Sequence, residues 1–366
     1  MSQYTVAVIG TGPDPANPTL EGFAMGYRHA EGYRSHDQCE VVACADIVPE
    51  NGAAFAETFE IDAEYVYEDY NRLLEEVEPD IVSVAVPPAI HEPIATDCAK
   101  HDAVQAIHCE KPMADSWASA QRLVQTCWRS NTQLTFNRQR RFAKPFIEAN
   151  RLLEDGAIGD LERIEIGWGD FYDTGAHTVD LATMFAGDQP AEWIIAQLDY
   201  REEDVRFGAH QENQMWAQWA YDNGVHAVLS TGARTEVVGA AFVLRGSEGT
   251  IRIDADDGPM LELEQAGDRT PVDVDGEGIH RTNAEPDGRY GSLLHDRAIS
   301  DLVDALETDT EPALSGRIGL TTAEILFGGY ESVRKRGRVE FPLEIEDNPF
   351  EAMIDDGTLT PEPAEE

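Results

Sequence analysis

The chain has 366 residues, 42% hydrophobic and 27% charged, and 70 acids against 27 bases leave a formal charge of −43. That length exceeds an ordinary single domain, and no uncharged stretch approaches the roughly 20 residues that a membrane-spanning helix needs. So acidic a surface repels phosphate backbones and anionic lipid, which argues against nucleic acid and membrane as partners.

Lysine occurs only as Lys100, Lys111, Lys144 and Lys335, and the acids are spread along the chain rather than gathered in a tail, the end at 361–366 apart. A compact fold of this charge repels itself in dilute salt, and at molar salt the screening length falls to about 3 Å. The composition therefore predicts a protein suited to a salt-filled cytoplasm, of haloarchaeal type; a merely acidic protein is the alternative. Cys39, Cys44, Cys98, Cys109 and Cys127 match no zinc spacing and read as core residues of a reduced, cytoplasmic protein. Met1-Ser2-Gln3 leads straight into an apolar strand, with no leader peptide in view.

In chain order, Val6–Ile9 reads as a strand, followed by an amphipathic stretch from Leu20 to Ser35 and a strand over Glu40–Asp46. Helices are expected over Asn51–Phe59 and Tyr67–Val77, a strand over Asp80–Val86 and a helix over Ile90–His101. A strand near Ala103–Cys109 and a helix over Ser116–Arg129 complete this part. Continuous apolar strands alternating with helices predict a doubly wound α/β domain over 1–131, its parallel sheet covered on both faces. From Thr132 the texture changes. A short strand at Leu134–Phe136 and a helix at Pro145–Asp155 lead into alternating runs at Leu161–Trp168, Trp193–Tyr200, Gln214–Tyr221, Val225–Thr231, Ala241–Leu244 and Gly249–Asp254. With helices at Leu293–Glu307 and Gly319–Val333, these predict an α+β domain on a large, mainly antiparallel sheet over 132–345. An acidic tail is expected over 346–366.

Gly10-Thr11-Gly12 stands between the first strand and the first helix, where glycines permit a tight turn and let a pyrophosphate approach backbone amides. A third glycine should follow three residues later, but Pro13–Thr19 intervenes, leaving Gly22 or Gly26 for that place. A plain strand–helix turn is the alternative. Asp46 ends the second strand, where a carboxylate binds adenosine ribose hydroxyls and repels a 2′-phosphate. No Arg follows in Ile47-Val48-Pro49-Glu50, which favours NAD over NADP. Asp46 could instead simply cap the next turn.

Val86-Pro87-Pro88 with His91, Cys109-Glu110-Lys111-Pro112-Met113, Asn137–Phe142, Leu153–Gly159, Asp173–Leu181 and Leu244–Ile251 together resemble the glucose–fructose oxidoreductase, inositol dehydrogenase and rhizopine-catabolism family. Pro312, Tyr330–Val333 and Gly337–Val339 also fit, so the resemblance runs from about residue 4 to 345. It implies a Rossmann domain and NAD, with NADP left open. Implied cofactor contacts are Gly10, Thr11, Gly12, Asp46, Ile47, Val86, Pro87, Pro88, His91, Glu110, Lys111 and Asn137. Lys111, Asp173 and His177 become the catalytic trio, acting on a CH–OH group of a sugar or polyol. A histidine can take the hydroxyl proton near neutral pH, and a lysine can stabilise a developing alkoxide. Asp173 would orient the imidazole or bind a neighbouring hydroxyl. The Lys111–Pro112 bond is expected to be cis, and Arg140 and Tyr172 are candidate substrate contacts. Asp180 reads equally as structural or as a substrate contact, and His91 as closing the cofactor loop.

No metal is expected, and the family resemblance implies a homodimer or homotetramer joined through the outer face of the second domain's sheet. The Pro13–Thr19 insertion could cover the cofactor or touch a partner subunit, and the short Gly169–Tyr172 segment leaves the sugar pocket undefined. An NAD-dependent glycoside hydrolase and a non-catalytic sugar or dinucleotide sensor are the rival readings.

Overall fold

A computed structural model describes residues 4–13, 15, 24–232, 237–279 and 292–362. The elements are β1 (Tyr4–Ile9), α1 (Met25–Arg34), β2 (Cys39–Ala45), α2 (Pro49–Phe59), β3 (Val66–Tyr67), α3 (Tyr70–Val77), β4 (Ile81–Val84), α4 (His91–Cys98), β5 (Ala106–Cys109), α5 (Trp117–Arg129) and β6 (Gln133–Phe136). They continue with α6 (Lys144–Glu154), β7 (Leu161–Ile166), α7 (Gly175–Phe185), β8 (Ala191–Asp199), β9 (Val205–Arg206), β10 (Ala209–His210), β11 (Gln214–Tyr221), β12 (His226–Ser230), β13 (Ala240–Gly246) and β14 (Gly249–Ala255). Last come β15 (Leu261–Gln265), β16 (Asp268–Pro271), α8 (Leu293–Thr308), α9 (Gly316–Lys335), β17 (Val339–Glu340) and α10 (Pro349–Asp355). The chain divides into two compact units: Met1–Asp115, Ser119–Gln139 and Ala284–Gly319 form one, and Ser116–Ala118, Arg140–Asn283 and Leu320–Glu366 the other.

The first unit holds a six-stranded sheet of order β3-β2-β1-β4-β5-β6, every neighbouring pair parallel. Chain order reverses between β1 and β4, the switch point at which such sheets open a ligand crevice. Helices on both faces explain why β4 and β5 are buried at every position. Tyr27, Phe55 and Phe59 fill one side, with the Tyr27 and Phe55 rings edge-on at 5.0 Å.

Three features depart from the sequence reading. Val66–Tyr67 is an edge strand against Cys44–Ala45 rather than the start of a helix. The helix waits for Asp69, whose side chain accepts from Asn71 N at 2.9 Å and caps it. Residues Gln133–Phe136, read as opening the second domain, pair in parallel with β5 as the sixth strand of this sheet. And α8 groups with this unit, because Ile299, Leu302 and Val303 share a core with Tyr4, Val6 and Tyr33. Gly32 permits that approach, since a Cβ there would stand 2.9 Å from Ile299 Cγ1. The amphipathic stretch expected from Leu20 appears as α1, with Leu20–Phe23 outside the described residues.

The second unit is built on a nine-stranded sheet of order β16-β15-β14-β13-β7-β12-β11-β8-β17, in which only β7 and β12 are parallel neighbours. Along β11 Met215, Ala217 and Trp219 are buried while Gln214 and Trp216 are exposed, the period-two alternation of a half-covered sheet. Phe146 of α6 and Phe185 of α7 pack on Phe242 of β13 at 5.6 and 6.0 Å. The expected acidic tail instead carries a packed helix, α10. Phe350 and Met353 of α10 are buried, and the Phe350 ring stacks on Tyr330 at 4.8 Å. Two apolar residues one turn apart suffice, while Glu351 and Asp355 keep the helix looking polar in sequence.

Candidate active site

The carboxyl ends of β1, β2 and β4 border a cleft of about 520 Å³ whose lining includes Gly10, Gly12, Asp46, Ile47, Val86 and Pro87. Gly10 and Gly12 take φ of +84° and +70°, and a Cβ on Gly10 would come within 2.6 Å of Ala85 O and Val86 Cγ1. Glycine is therefore required at Gly10 on both conformational and steric grounds. Gly26, in the first turn of α1, occupies the place of the missing third glycine: a Cβ there would meet Gly10 O at 2.7 Å. Gly22 and the insertion at 13–19, except Pro13 and Pro15, lie outside the described residues.

Asp46 holds this turn. Its Oδ2 accepts from Thr11 N and Thr11 Oγ1, both at 2.9 Å, and from Gly12 N at 3.0 Å, while Oδ1 accepts from Val48 N at 2.9 Å. Ile47 beside it is exposed. An apolar cleft, a turn open to close approach and one carboxylate at the rim suit the adenosine half of a dinucleotide.

His91 is fully buried between the carbonyls of Val86 (Nε2, 2.7 Å) and Pro112 (Nδ1, 2.9 Å), which ties the Pro87-Pro88 loop to the Lys111–Pro112 peptide; that peptide is cis. Burial lowers the His91 pKa.

Glu110 and Asn137 do not line the cleft. They belong to a buried network under Lys111, in which Glu110 Oε1 contacts His29 Nε2 at 2.8 Å and accepts from Asn137 Nδ2 at 2.6 Å, while Oε2 accepts from Lys111 N at 3.0 Å. His29 Nδ1 reaches Ser83 Oγ at 2.7 Å, so α1, β4, β5 and β6 meet in one set of polar contacts. Burial alone would push the Glu110 carboxyl up; the hydrogen bond from His29, the Lys111 charge and Asn137 hold it well below the usual carboxylate range instead. A single histidine in an amphipathic stretch offers no sign in the sequence of this partner.

In the second unit Asp173 is half-buried just before α7 and His177 is buried within its first turn. The Arg140 guanidinium lies 4.5 Å from the Trp168 ring, and its Nη1 finds no partner among the described residues. Burial pulls Arg140 down to about 10, against the charges of Asp173 and Asp170. Tyr172 is buried against Phe327 and Tyr330, so its ring packs within the unit. Asp180 is structural: Arg141 donates to its two carboxylate oxygens at 2.7 and 2.9 Å, and Arg141 Nη2 also reaches Asp188 Oδ1 at 2.8 Å. Among the described residues no cluster of His, Cys, Asp and Glu could hold a metal, and no helix is long and apolar enough to cross a membrane.

Residues 5–138 match the family model described as "Oxidoreductase family, NAD-binding Rossmann fold", and residues 162–252 match the GFO/IDH/MocA C-terminal domain. The chain is 26% identical over 343 residues to a D-apiose dehydrogenase of Paraburkholderia graminis, covering 85% of this chain and 86% of that protein. It is 23% identical over 286 residues to a 2,7-anhydro-N-acetylneuraminate hydratase of Mediterraneibacter gnavus, covering 72% and 71%. An oxidoreductase from Agrobacterium radiobacter, solved with NAD+, L-tartaric acid and magnesium, shares the fold at a TM-score of 0.74 and 21% identity, over 93% of this chain and 98% of that one. With both of its halves matched, the chain belongs to the GFO/IDH/MocA family and is an oxidoreductase with an NAD-binding Rossmann domain.

Proposed function

We propose that the protein oxidises, or in reverse forms, a CH–OH group of a sugar or polyol, with NAD preferred to NADP. The observation that carries this reading is the cleft at the ends of β1, β2 and β4, with its glycine turn and the Asp46 carboxylate; the relative named for D-apiose supports the substrate class. NAD, when bound, supplies the acceptor for the hydride. The protein's own residues supply the rest: Lys111 holds the hydroxyl oxygen and stabilises the negative charge that develops on it. His177 takes the hydroxyl proton and returns it in the reverse direction. Asp173 orients the imidazole or binds a neighbouring hydroxyl, Arg140 contacts substrate, and Glu110 with Asn137 supports Lys111 from beneath rather than touching cofactor. The test is NADH formation at 340 nm in molar KCl across neutral sugars, polyols and sugar acids. NADH from at least one neutral compound is expected; folded, NAD-binding protein inert on the whole panel would contradict the reading.

A second reading is an NAD-dependent glycoside hydrolase that oxidises only transiently; in its support, the relative named a hydratase carries a name that denotes no net oxidation. It would release aglycone from an aryl glycoside without accumulating NADH.

The cofactor preference has its own consequence. Asp46→Asn removes the charge facing a 2′-phosphate yet keeps an oxygen for the Thr11 and Gly12 amides. The ratio of NADP to NAD dissociation constants should fall about tenfold or more, since juxtaposed like charges cost several kcal/mol. An unchanged ratio would remove Asp46 from the specificity argument.

We further infer a high-salt cytoplasm and a homodimer or homotetramer formed through the outer face of the nine-stranded sheet, where Trp216 and Ile195 are 48% and 42% exposed. With a charge of −43 and a screening length that shortens from about 10 Å at 0.1 M to about 3 Å at 1 M, stability should climb with salt. The melting temperature in 2 M KCl should exceed that in 0.1 M by roughly 10 °C or more, a gain of several kcal/mol. Equal melting temperatures would contradict adaptation to salt.

A further inference from the structure

The segment from Gly169 to Thr174 joins β7 to α7 and carries Asp173. Gly169 has φ +79°, and Asp170 closes the turn by accepting from Thr174 N at 2.7 Å and Thr174 Oγ1 at 2.9 Å. Two consecutive residues ahead of β11 then grip its main chain. Glu212 Oε1 accepts from Phe171 N at 2.6 Å, and Gln211 Oε1 accepts from Asp173 N at 3.3 Å, on either side of Tyr172. Glu212 is itself 4% exposed and anchored: Oε2 accepts from Tyr330 Oη at 3.0 Å, and Oε1 from Thr231 Oγ1 at 3.4 Å. A buried glutamate spent on one backbone amide of a loop is a costly choice unless that loop must stay in place.

We propose that Glu212 is a positioning residue: together with Gln211 it fixes the Gly169–Thr174 segment and thereby the placement of Asp173 and His177. This rests on the reading that those two side chains act on substrate.

The titratable groups around Glu212 are Asp170 in the loop and Tyr330 on α9, with Tyr172 beside Tyr330. Burial, and then the Asp170 charge, push the Glu212 carboxyl up to about 8, against the donors from Phe171 and Tyr330. Near neutral pH the folded protein therefore keeps this carboxyl protonated, and glutamine is its close match in shape and charge. Between the ordinary value of 4.5 and about 8 the unfolded chain is ionised while the folded one holds its proton, so Glu212 subtracts stability increasingly as pH rises through that window. Glu212→Gln should gain in melting temperature relative to wild type from pH 5 to pH 8.

The test compares Glu212→Gln, Glu212→Leu and Gln211→Ala as NAD-loaded, full-length protein. Amide exchange over residues 169–177 should quicken at least about tenfold in Glu212→Leu, to a lesser degree in Gln211→Ala, and stay at the wild-type rate in Glu212→Gln. On a compound that the wild type oxidises, kcat should fall about tenfold or more in Glu212→Leu, with NAD affinity unchanged and Glu212→Gln near wild type. Unchanged exchange in Glu212→Leu, or equal losses in Glu212→Leu and Glu212→Gln, would overturn the positioning role. Faster exchange with an unchanged kcat would instead overturn the roles given to Asp173 and His177.

Discussion

Arg141→Met is expected to cost about 3–5 kcal/mol of stability, the penalty typical of leaving one member of a buried ion pair uncompensated. Arg141 and Asp180 are 4% and 1% exposed in their side chains, so water cannot replace the lost guanidinium at Asp180. Thr322 Oγ1 reaches Asp180 Oδ1 only at 3.4 Å, too long to stand in for a guanidinium, whereas Asp188 is 31% exposed and can turn to solvent. The Asp180 carboxylate therefore dominates the cost. Replacing both partners, Arg141→Met with Asp180→Leu, should recover much of the loss, because breaking a buried pair is worse than substituting it by apolar residues. Denaturant unfolding followed by tryptophan fluorescence checks this. A loss below about 1 kcal/mol in the single variant, or no recovery in the double one, would mean that the pair tolerates solvent.

His177→Ala should lower kcat by about 10²–10⁴, the usual worth of a positioned general base. On the proposed reading His177 handles the substrate proton and does not hold cofactor, so NAD affinity should stay within about twofold of wild type. Binding is read by quenching of intrinsic fluorescence and turnover at 340 nm. A fall in NAD affinity parallel to the fall in kcat would assign His177 to folding or binding rather than proton transfer.

The parts of the molecule legible in the sequence are those in which a local pattern and a buried environment agree. Strands such as Ile81–Val84 read correctly because a parallel sheet covered on both faces demands unbroken apolar runs. The alternation of β8 and β11 showed the half-covered sheet for the same reason. What stayed hidden depends on distant partners. Leu134-Thr135-Phe136 carries no mark of which sheet will take it, and only pairing with Ala106–Cys109 decides. Likewise α8 has an ordinary apolar stripe, and its place against α1 rests on Gly32, 261 positions earlier in the chain than Leu293.

The candidate site divides the same way. Gly10, Gly12 and Asp46 stood out because a turn and a strand end are local features, and the geometry gives Asp46 an added task in bracing the turn that the motif did not disclose. Glu110 and Asn137 came with the motif but face inward to His29, a partner 81 residues from Glu110. Glu212, in the polar run His210-Gln211-Glu212-Asn213-Gln214, looks like any surface acid until the loop before α7 is seen to close on it.

On the proposed reading Lys111 serves hydride transfer to NAD from a carbinol carbon, and a comparison of wild type with Lys111→Ala tests that role at the reacting atoms. Initial rates at 340 nm would be taken in molar KCl with NAD and the best compound of the sugar and polyol panel. Loss of a group that stabilises a developing oxyanion costs about 10²–10³ in rate, so the account predicts steady NADH formation by wild type and a rate lower by that factor in the variant, with NAD still bound. A Lys111→Ala protein that forms NADH within a few-fold of the wild-type rate would contradict it.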